Sequence, residues 1–198
     1  MTCLRWILLA GLLALTGCAG SANTPSMFLL DSGDAGAGAQ RIAAPVLIVD
    51  PVTVASFLDE NGIVYQTGPH RVVMANNNRW ASPLAGQLTG GLYNALVARL
   101  DDVSVQRGGH ASSAQAWHLT THVDQFMGHY DGQAHIGGRW ALVGPDGQTA
   151  AGRRFERRIP LSSDGYDALV DSLSRGWRQT ADDMAGVVEP ILDEPAAR

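Results

Sequence analysis

WASPLAGQLTGGLYNALVARL, residues 80–100, is the stretch on which the fold turns. Leu84, Leu88, Leu92, Leu96 and Leu100 return every four residues, and Trp80, Tyr93 and Val97 widen the stripe, the spacing of a helix with one apolar face. The stretch predicts a helix starting near Trp80, with Ser82 as its cap and Pro83 in the first turn, where a missing N–H does no harm. Gly86, Gly90 and Gly91 each cost about 1 kcal/mol of helix propensity relative to alanine. A close backbone approach is therefore expected on that side, from within the chain or from a second copy in a homo-oligomer.

Upstream, Met27 to Leu30 reads as a short strand and Ser32 to Gln40, rich in Gly and Ala, as a mobile loop. Val46 to Val54 is a valine-rich buried strand with an irregular end at Asp50-Pro51. Ser56 to Asn61 makes a turn or short helix carrying Phe57 and Leu58. Ile63 to Gln66 and Arg71 to Ala75 flank Gly68-Pro69, as the arms of a hairpin do. Downstream, Val103 to Gln106 reads as a strand and Gly108-Gly109 as a turn. From Trp117 the residues alternate, with Trp117, Leu119, Thr121 and Val123 on one face and His118, Thr120, His122 and Asp124 on the other. His135 to Val143 and Ala151 to Ile159 flank Gly144-Pro145-Asp146-Gly147, the signal of an antiparallel hairpin. A second helix should run from about Asp164 to Val188 on the stripe Tyr166, Leu169, Val170, Leu173, Trp177, Ala181, Met184 and Val188, with Pro190 ending it. Strands and helices thus interleave as β, α, β, α. The expected fold class is α/β, a mixed β-sheet with two long helices packed against it in a single domain, residues 27–190, followed by a loose tail, 191–198.

The N-terminus reads differently. Arg5 is followed by an apolar run from Trp6 to Leu15 broken only by Gly11, the layout of a secretory signal and too short to span a bilayer, which needs about 20 apolar residues. It ends in Leu15-Thr16-Gly17-Cys18, which resembles the lipobox of bacterial lipoprotein signals. Residues 1–17 are then a leader, Cys18 the lipidated first residue of the mature chain, and 18–26 a small, polar tether. Cys3 and Cys18 are the only cysteines, so the mature domain has no internal disulfide to rely on and must be held together by burial. Losing the leader takes the formal charge from −5 to −6, a balance that argues against a nucleic-acid partner.

Chemistry is harder to find. All 14 basic residues are arginine, which excludes a Walker A loop, a Schiff base and a Ser-Lys dyad. There is no G-x-S-x-G elbow, no H-E-x-x-H and no cysteine after Cys18. His118, His122 and Asp124 share a strand face, but residues four apart on a strand lie about 13 Å apart, too far for two imidazoles to share one zinc. Asp59-Glu60, Asp101-Asp102 and Asp182-Asp183 read as solvated turns and helix surface. Arg153, Arg154, Arg157 and Arg158 around Phe155 suit a protected edge strand or a patch for an acidic partner or anionic lipid. No catalytic residue, metal or cofactor is expected apart from the covalent lipid on Cys18.

Residues 52–65, V-T-V-A-S-F-L-D-E-N-G-I-V-Y, followed by a second β-rich piece, R-W-A-S-P-L and the leucine-striped helix, resemble the PqiC-type auxiliary lipoproteins of ABC transport systems. The likeness extends more weakly through the Trp117 strand, the Trp140 hairpin and the last helix. In that family the first segment reads like V-x-L-P-x-Y-L-D-R; here Ala55 stands at the proline, Phe57 at the tyrosine and Glu60 at the arginine. The resemblance implies a non-catalytic lipoprotein facing the periplasm that works with an MCE-domain protein and its transporter in lipid or hydrophobic-solute traffic between membranes. Ala19 after the lipidated cysteine suggests the outer membrane. Phe57, Leu58, Ile63, Val64 and Tyr65 are the expected partner-binding surface. The alternative is a chaperone-like lipoprotein that itself holds lipid.

Overall fold

The alternation that starts at Trp117 belongs to the longest of the described strands, and the rest of the sheet is assembled on it. The computed structural model describes residues 24–33, 45–108 and 115–193. Cys18, the leader, most of the Gly/Ala-rich loop, Gly109 and the last five residues lie outside these. In chain order the elements are β1 (Ser26–Phe28), β2 (Val46–Val49), β3 (Thr53–Val54), a 3-10 turn (Ser56–Leu58), β4 (Gly62–Gly68), β5 (Arg71–Trp80), α1 (Leu84–Arg99), β6 (Ser104–Arg107), β7 (Trp117–His129), β8 (Gln133–Val143), β9 (Thr149–Pro160) and α2 (Tyr166–Asp193).

One side of β7 carries β2, β3 and β4 in succession, all parallel to it, with Leu47 opposite Trp117, Thr53 opposite His122 and Tyr65 opposite Gly128. Residues 46–66 thus run as one interrupted strand. Pro51 cannot donate to the ladder, and the 3-10 turn makes the second break. Asp50 N–H and Ala55 N–H still donate to the Leu119 and Val123 carbonyls across the gaps. The other side of β7 carries β8 and then β9 as an antiparallel meander, β6 extends the sheet beyond β2, and β5 with β1 extends it beyond β4. Among the described residues the result is a mixed nine-stranded sheet.

Both helices pack on this sheet and on each other, α1 over β2, β3 and β6, and α2 over β7, β8 and β9. The predicted stripes are the buried ones: Leu84, Leu88, Leu92, Leu96 and Leu100 on the first, Leu169, Leu173, Trp177, Ala181, Met184 and Val188 on the second. Helix α1 starts at Leu84 and not near Trp80, because Trp80 completes β5, its N–H donating to the Asn61 carbonyl at 2.7 Å. Ser82 precedes a proline and is steered away from helical backbone, so it makes no side-chain cap. Gln87 ties the helix start instead, donating to Ser82 O at 2.8 Å and accepting from Leu30 N–H at 2.8 Å. Of the three glycines, only Gly91 meets a close neighbour: a Cβ there would lie 3.2 Å from Trp177 Cδ1. The tight approach is by an indole, the backbone of Ser32 lying in ordinary contact at 3.9 Å.

Helix α2 passes through Pro190 to Asp193, three residues into the stretch expected to be loose. Proline removes one hydrogen bond, to the carbonyl of Gly186, which is exposed and free to bond water, while buried Leu192 holds the last turn down. At the other end, Ser26, assigned to the tether, opens β1.

Past β1 the chain is fastened to α2. Asp31 N–H donates to Ser174 Oγ at 3.2 Å, and the Asp31 carboxylate pairs with Arg178. The N–H of Gly33 and the Arg178 guanidinium together hold the Asp31 carboxyl below the usual carboxylate range. A lowered folded-state value means that this group stabilises the fold above its unfolded pKa, about 3.9, and loses that contribution as pH falls through the lower folded value. Asp31→Asn should therefore flatten the acid limb of a stability–pH profile. Because the pair is solvated, the variant should lower Tm at pH 7 by no more than about 3 °C in thermal unfolding.

Candidate functional site

Two hairpins leave the sheet at the same end. Since β4 runs parallel to β7, with Tyr65 opposite Gly128 and Gln66 opposite His129, the β4–β5 turn at 69–70 and the β7–β8 turn at 130–132 emerge side by side. This end carries the largest run of exposed apolar residues on the described surface: Val72, Val73 and Met74 on β5, with Tyr130 on the neighbouring turn. Three consecutive apolar residues on a strand cannot all face a core, because alternate side chains point to opposite faces. Strand β1 pairs only with Asn78–Trp80, so among the described residues Arg71 to Met74 pair with β4 alone. Their outer backbone edge is unpaired, a template for another strand.

The expected contact surface has to be corrected. Leu58, Ile63 and Val64 are buried in the core at 1, 0 and 2% exposure and are not on the surface. The 3-10 turn folds Leu58 inward. The register shift between Gly62 and Val64 sets residues 75–78 of β5 against Ile63 alone, so the extra residues lie on β5, while Ile63 and Val64, successive on β4, are both buried. Phe57 does stand out, 38% exposed. Tyr65 is half-buried: its hydroxyl donates to the His129 carbonyl at 2.8 Å, and its ring covers Gly128, where a Cβ would lie 2.3 Å from Tyr65 Cδ2. Tyr65 also forms one wall of an open cleft of about 370 Å³ at the hairpin end, lined besides by Gly132, Leu161, Tyr166 and Leu169.

The histidines of the β7 face are kept apart, as strand spacing requires. His118 Nδ1 meets Asp50 Oδ1 at 3.1 Å, whereas His122 meets Thr53 Oγ1 at 2.8 Å and Asp124 Oδ1 at 3.1 Å. Strand β9 pairs only with β8 and is a sheet edge among the described residues. Of its arginines, Arg157 reaches α2, donating to Thr180 Oγ1 at 3.0 Å and pairing with Asp183, while Arg158 pairs with Glu156.

A different cluster escaped the sequence reading. His129 at the end of β7, Asp131 in the turn and His135 on β8 bring their polar atoms within 4.8 Å of one another. His129 Nδ1 is 2.9 Å from Asp131 Oδ1, and His135 Nε2 is 2.9 Å from Asp131 Oδ2. The two imidazoles stack at 4.0 Å and 14°. Burial works to raise the Asp131 carboxyl, but hydrogen bonds from His129, His135 and Gln133 N–H outweigh it and hold the group below the usual range. The signal in the sequence was H-x-D-x₃-H across Tyr130-Asp131-Gly132, legible only if that tripeptide is recognised as a tight turn.

Comparison with known proteins agrees with this architecture. Residues 28–185 match the family model for the ABC-type transport auxiliary lipoprotein component. The chain is 34% identical, over 94% of its length and 98% of theirs, to proteins named intermembrane transport lipoprotein PqiC from Escherichia coli K12 and Shigella flexneri. A crystal structure of an uncharacterized protein superposes with a TM-score of 0.72 at 33% identity, covering 83% of this chain and 99% of that one. A Xanthomonas campestris protein, 19% identical, shares the fold with a TM-score of 0.69 over 83% of this chain and 95% of its own. On the match of sequence, length and fold, the chain belongs to the ABC-type transport auxiliary lipoprotein family.

Proposed function

We propose that this chain is the non-catalytic lipoprotein subunit of an MCE/ABC-type transport system, anchored through Cys18 to the outer membrane and facing the periplasm. There it docks a periplasmic MCE assembly for lipid or hydrophobic-solute traffic between the membranes. The observation that carries this reading is the full-length similarity to intermembrane transport lipoproteins. It is supported by a surface suited to docking, the unpaired edge of β5 with Val72, Val73 and Met74 exposed beside it. A strand edge offers backbone hydrogen bonds to a partner, and adjacent apolar side chains supply the burial that makes such an addition stable.

Placing a carboxylate in that contact should cost at least about 1.4 kcal/mol, a tenfold loss of affinity. Val73→Asp and Met74→Asp, with unchanged far-UV circular dichroism, should each reduce recovery of the MCE protein at least about tenfold in co-purification. Phe57→Asp tests the remaining exposed residue of the other surface. Undiminished recovery with folded β5 variants would count against docking at this edge.

The cleft beside Tyr65 favours a second reading, a lipoprotein that itself holds lipid. At about 370 Å³ it lies at the small end of ligand sites, so it suits part of a lipid better than a whole one. Lipid extraction and mass spectrometry of the purified protein, disregarding the covalent chains, separate the readings: stoichiometric lipid supports a carrier, an empty domain an adaptor.

A further inference from the structure

The cluster at the tip of the β7–β8 hairpin is built more like a ligand set than like a chance meeting of polar groups. Gly128 pairs with Ala134, so continuing the antiparallel ladder puts His129 and His135 in diagonal positions on one face, where side chains two residues apart across a pair approach. Both imidazoles are largely withdrawn from water, their side chains 14 and 10% exposed. Each element is held from behind. Tyr65 donates to the His129 carbonyl at 2.8 Å, Gln133 N–H donates to Asp131 Oδ1 at 3.0 Å, and the Tyr130 ring lies 4.1 Å from that of His129.

The donor atoms also suit a particular kind of ion. Zinc bonds of about 2.0–2.1 Å to nitrogen put neighbouring tetrahedral ligands about 3.3 Å apart. Each imidazole nitrogen is 2.9 Å from one oxygen of the Asp131 carboxylate and all the donor atoms lie within 4.8 Å of one another, so an ion is reached by opening the nitrogen–oxygen contacts a few tenths of an ångström, drawing the two nitrogens together by up to about 1.5 Å, and turning the stacked rings toward it. Two imidazoles and one carboxylate exclude magnesium and calcium, which take oxygen ligands, and fit zinc-class ions with one position left to water. His129 Nδ1 is also approached by Asp131 N–H at 3.3 Å.

We propose that His129, Asp131 and His135 form a site for one divalent transition-metal ion of the zinc class. Bound there, the ion clasps the hairpin tip that borders the Tyr65 cleft and stands beside the exposed edge of β5.

The test uses the full chain in detergent, stripped with a chelator and dialysed against zinc chloride. Elemental mass spectrometry should find about one zinc per wild-type chain, and the bound ion's X-ray absorption edge should show two imidazole ligands. His135→Gln and Asp131→Asn, checked for folding by circular dichroism, should each weaken retention at least about tenfold, whereas His70→Gln, outside the cluster, should not. Wild-type chain that retains no zinc overturns the proposal. So does zinc lacking paired imidazole scattering, or zinc held equally by the folded variants. The absorption spectrum of the wild type decides the matter even if a variant fails to fold.

Discussion

Trp177→Ala is expected to lower the unfolding free energy by about 4 kcal/mol, measured by urea denaturation of the purified chain. The indole sits at the meeting point of both helices and the sheet. It is 3% exposed, its N–H donates to the Leu88 carbonyl of α1 at 3.0 Å, and it lies edge-on to Phe126 and Phe155 at 6.3 and 6.2 Å. Truncation removes this buried ring, leaves a cavity between elements too tightly packed to close over it, and forfeits aromatic pairs worth about 0.5–1.5 kcal/mol each. Domains commonly have only about 5–15 kcal/mol in hand, so the loss takes a large share of the stability. Trp177→Phe separates the contributions. It keeps most of the packing, loses the hydrogen bond, and should cost about 1–2 kcal/mol. Equal losses for the two variants would mean that the indole N–H, and not the packing, joins the helices.

The packing was the legible part of this chain. Leucine every four residues in 84–100 and the stripe from Leu169 to Val188 each describe one buried helix face, a local property that periodicity reports directly. Gly144-Pro145-Asp146-Gly147 likewise announces the β8–β9 hairpin, because turn chemistry is local too. Parallel pairing carries no such marker. Nothing in Val46–Val49 or Gly62–Gly68 says that both lie along β7, some 70 and 60 residues onward, and register between distant strands is set only by the assembled core.

The candidate site failed for related reasons. Phe57-Leu58 and Ile63-Val64-Tyr65 are runs too short to show a period, so an apolar residue facing the core reads like one facing a partner. Ile63 and Val64, successive on β4, are both buried, which alternation alone would not show. The exposed run Val72-Val73-Met74 looked like ordinary strand until β1 proved to stop at Asn78 on its partner. His129 and His135, six positions apart, come together only because Asp131 and Gly132 reverse the chain between them, Gly132 with a φ of 79°. The family resemblance succeeded where site reading did not, since the quoted segment spans β3 to α1 and is mostly the pattern of their buried residues.

Cys18→Ser should have the largest effect on location and almost none on the fold. Each buried CH₂ of an acyl chain contributes about 0.8 kcal/mol to membrane binding, and two or more chains are needed for stable anchoring. Among the described residues no helix is long and apolar enough to cross a membrane. The packed elements begin at Ser26, so the substitution touches none of the described core. The variant should match the wild type in circular dichroism and Tm. It should also keep its affinity for the MCE protein, because the proposed docking edge on β5 belongs to the folded domain.

Anchor and docking edge are thus expected to separate cleanly, and membrane fractionation on a density gradient, following this chain and the MCE protein together, tests that most directly. The wild type should sediment with the outer membrane and carry MCE protein with it. Cys18→Ser should move to the soluble fraction, folded and still bound to its partner, with the outer-membrane share of the MCE protein falling at least about tenfold. A Cys18→Ser chain that remains with the outer membrane, or a wild-type chain that sediments there without MCE protein, would contradict the account of a lipid-tethered docking subunit.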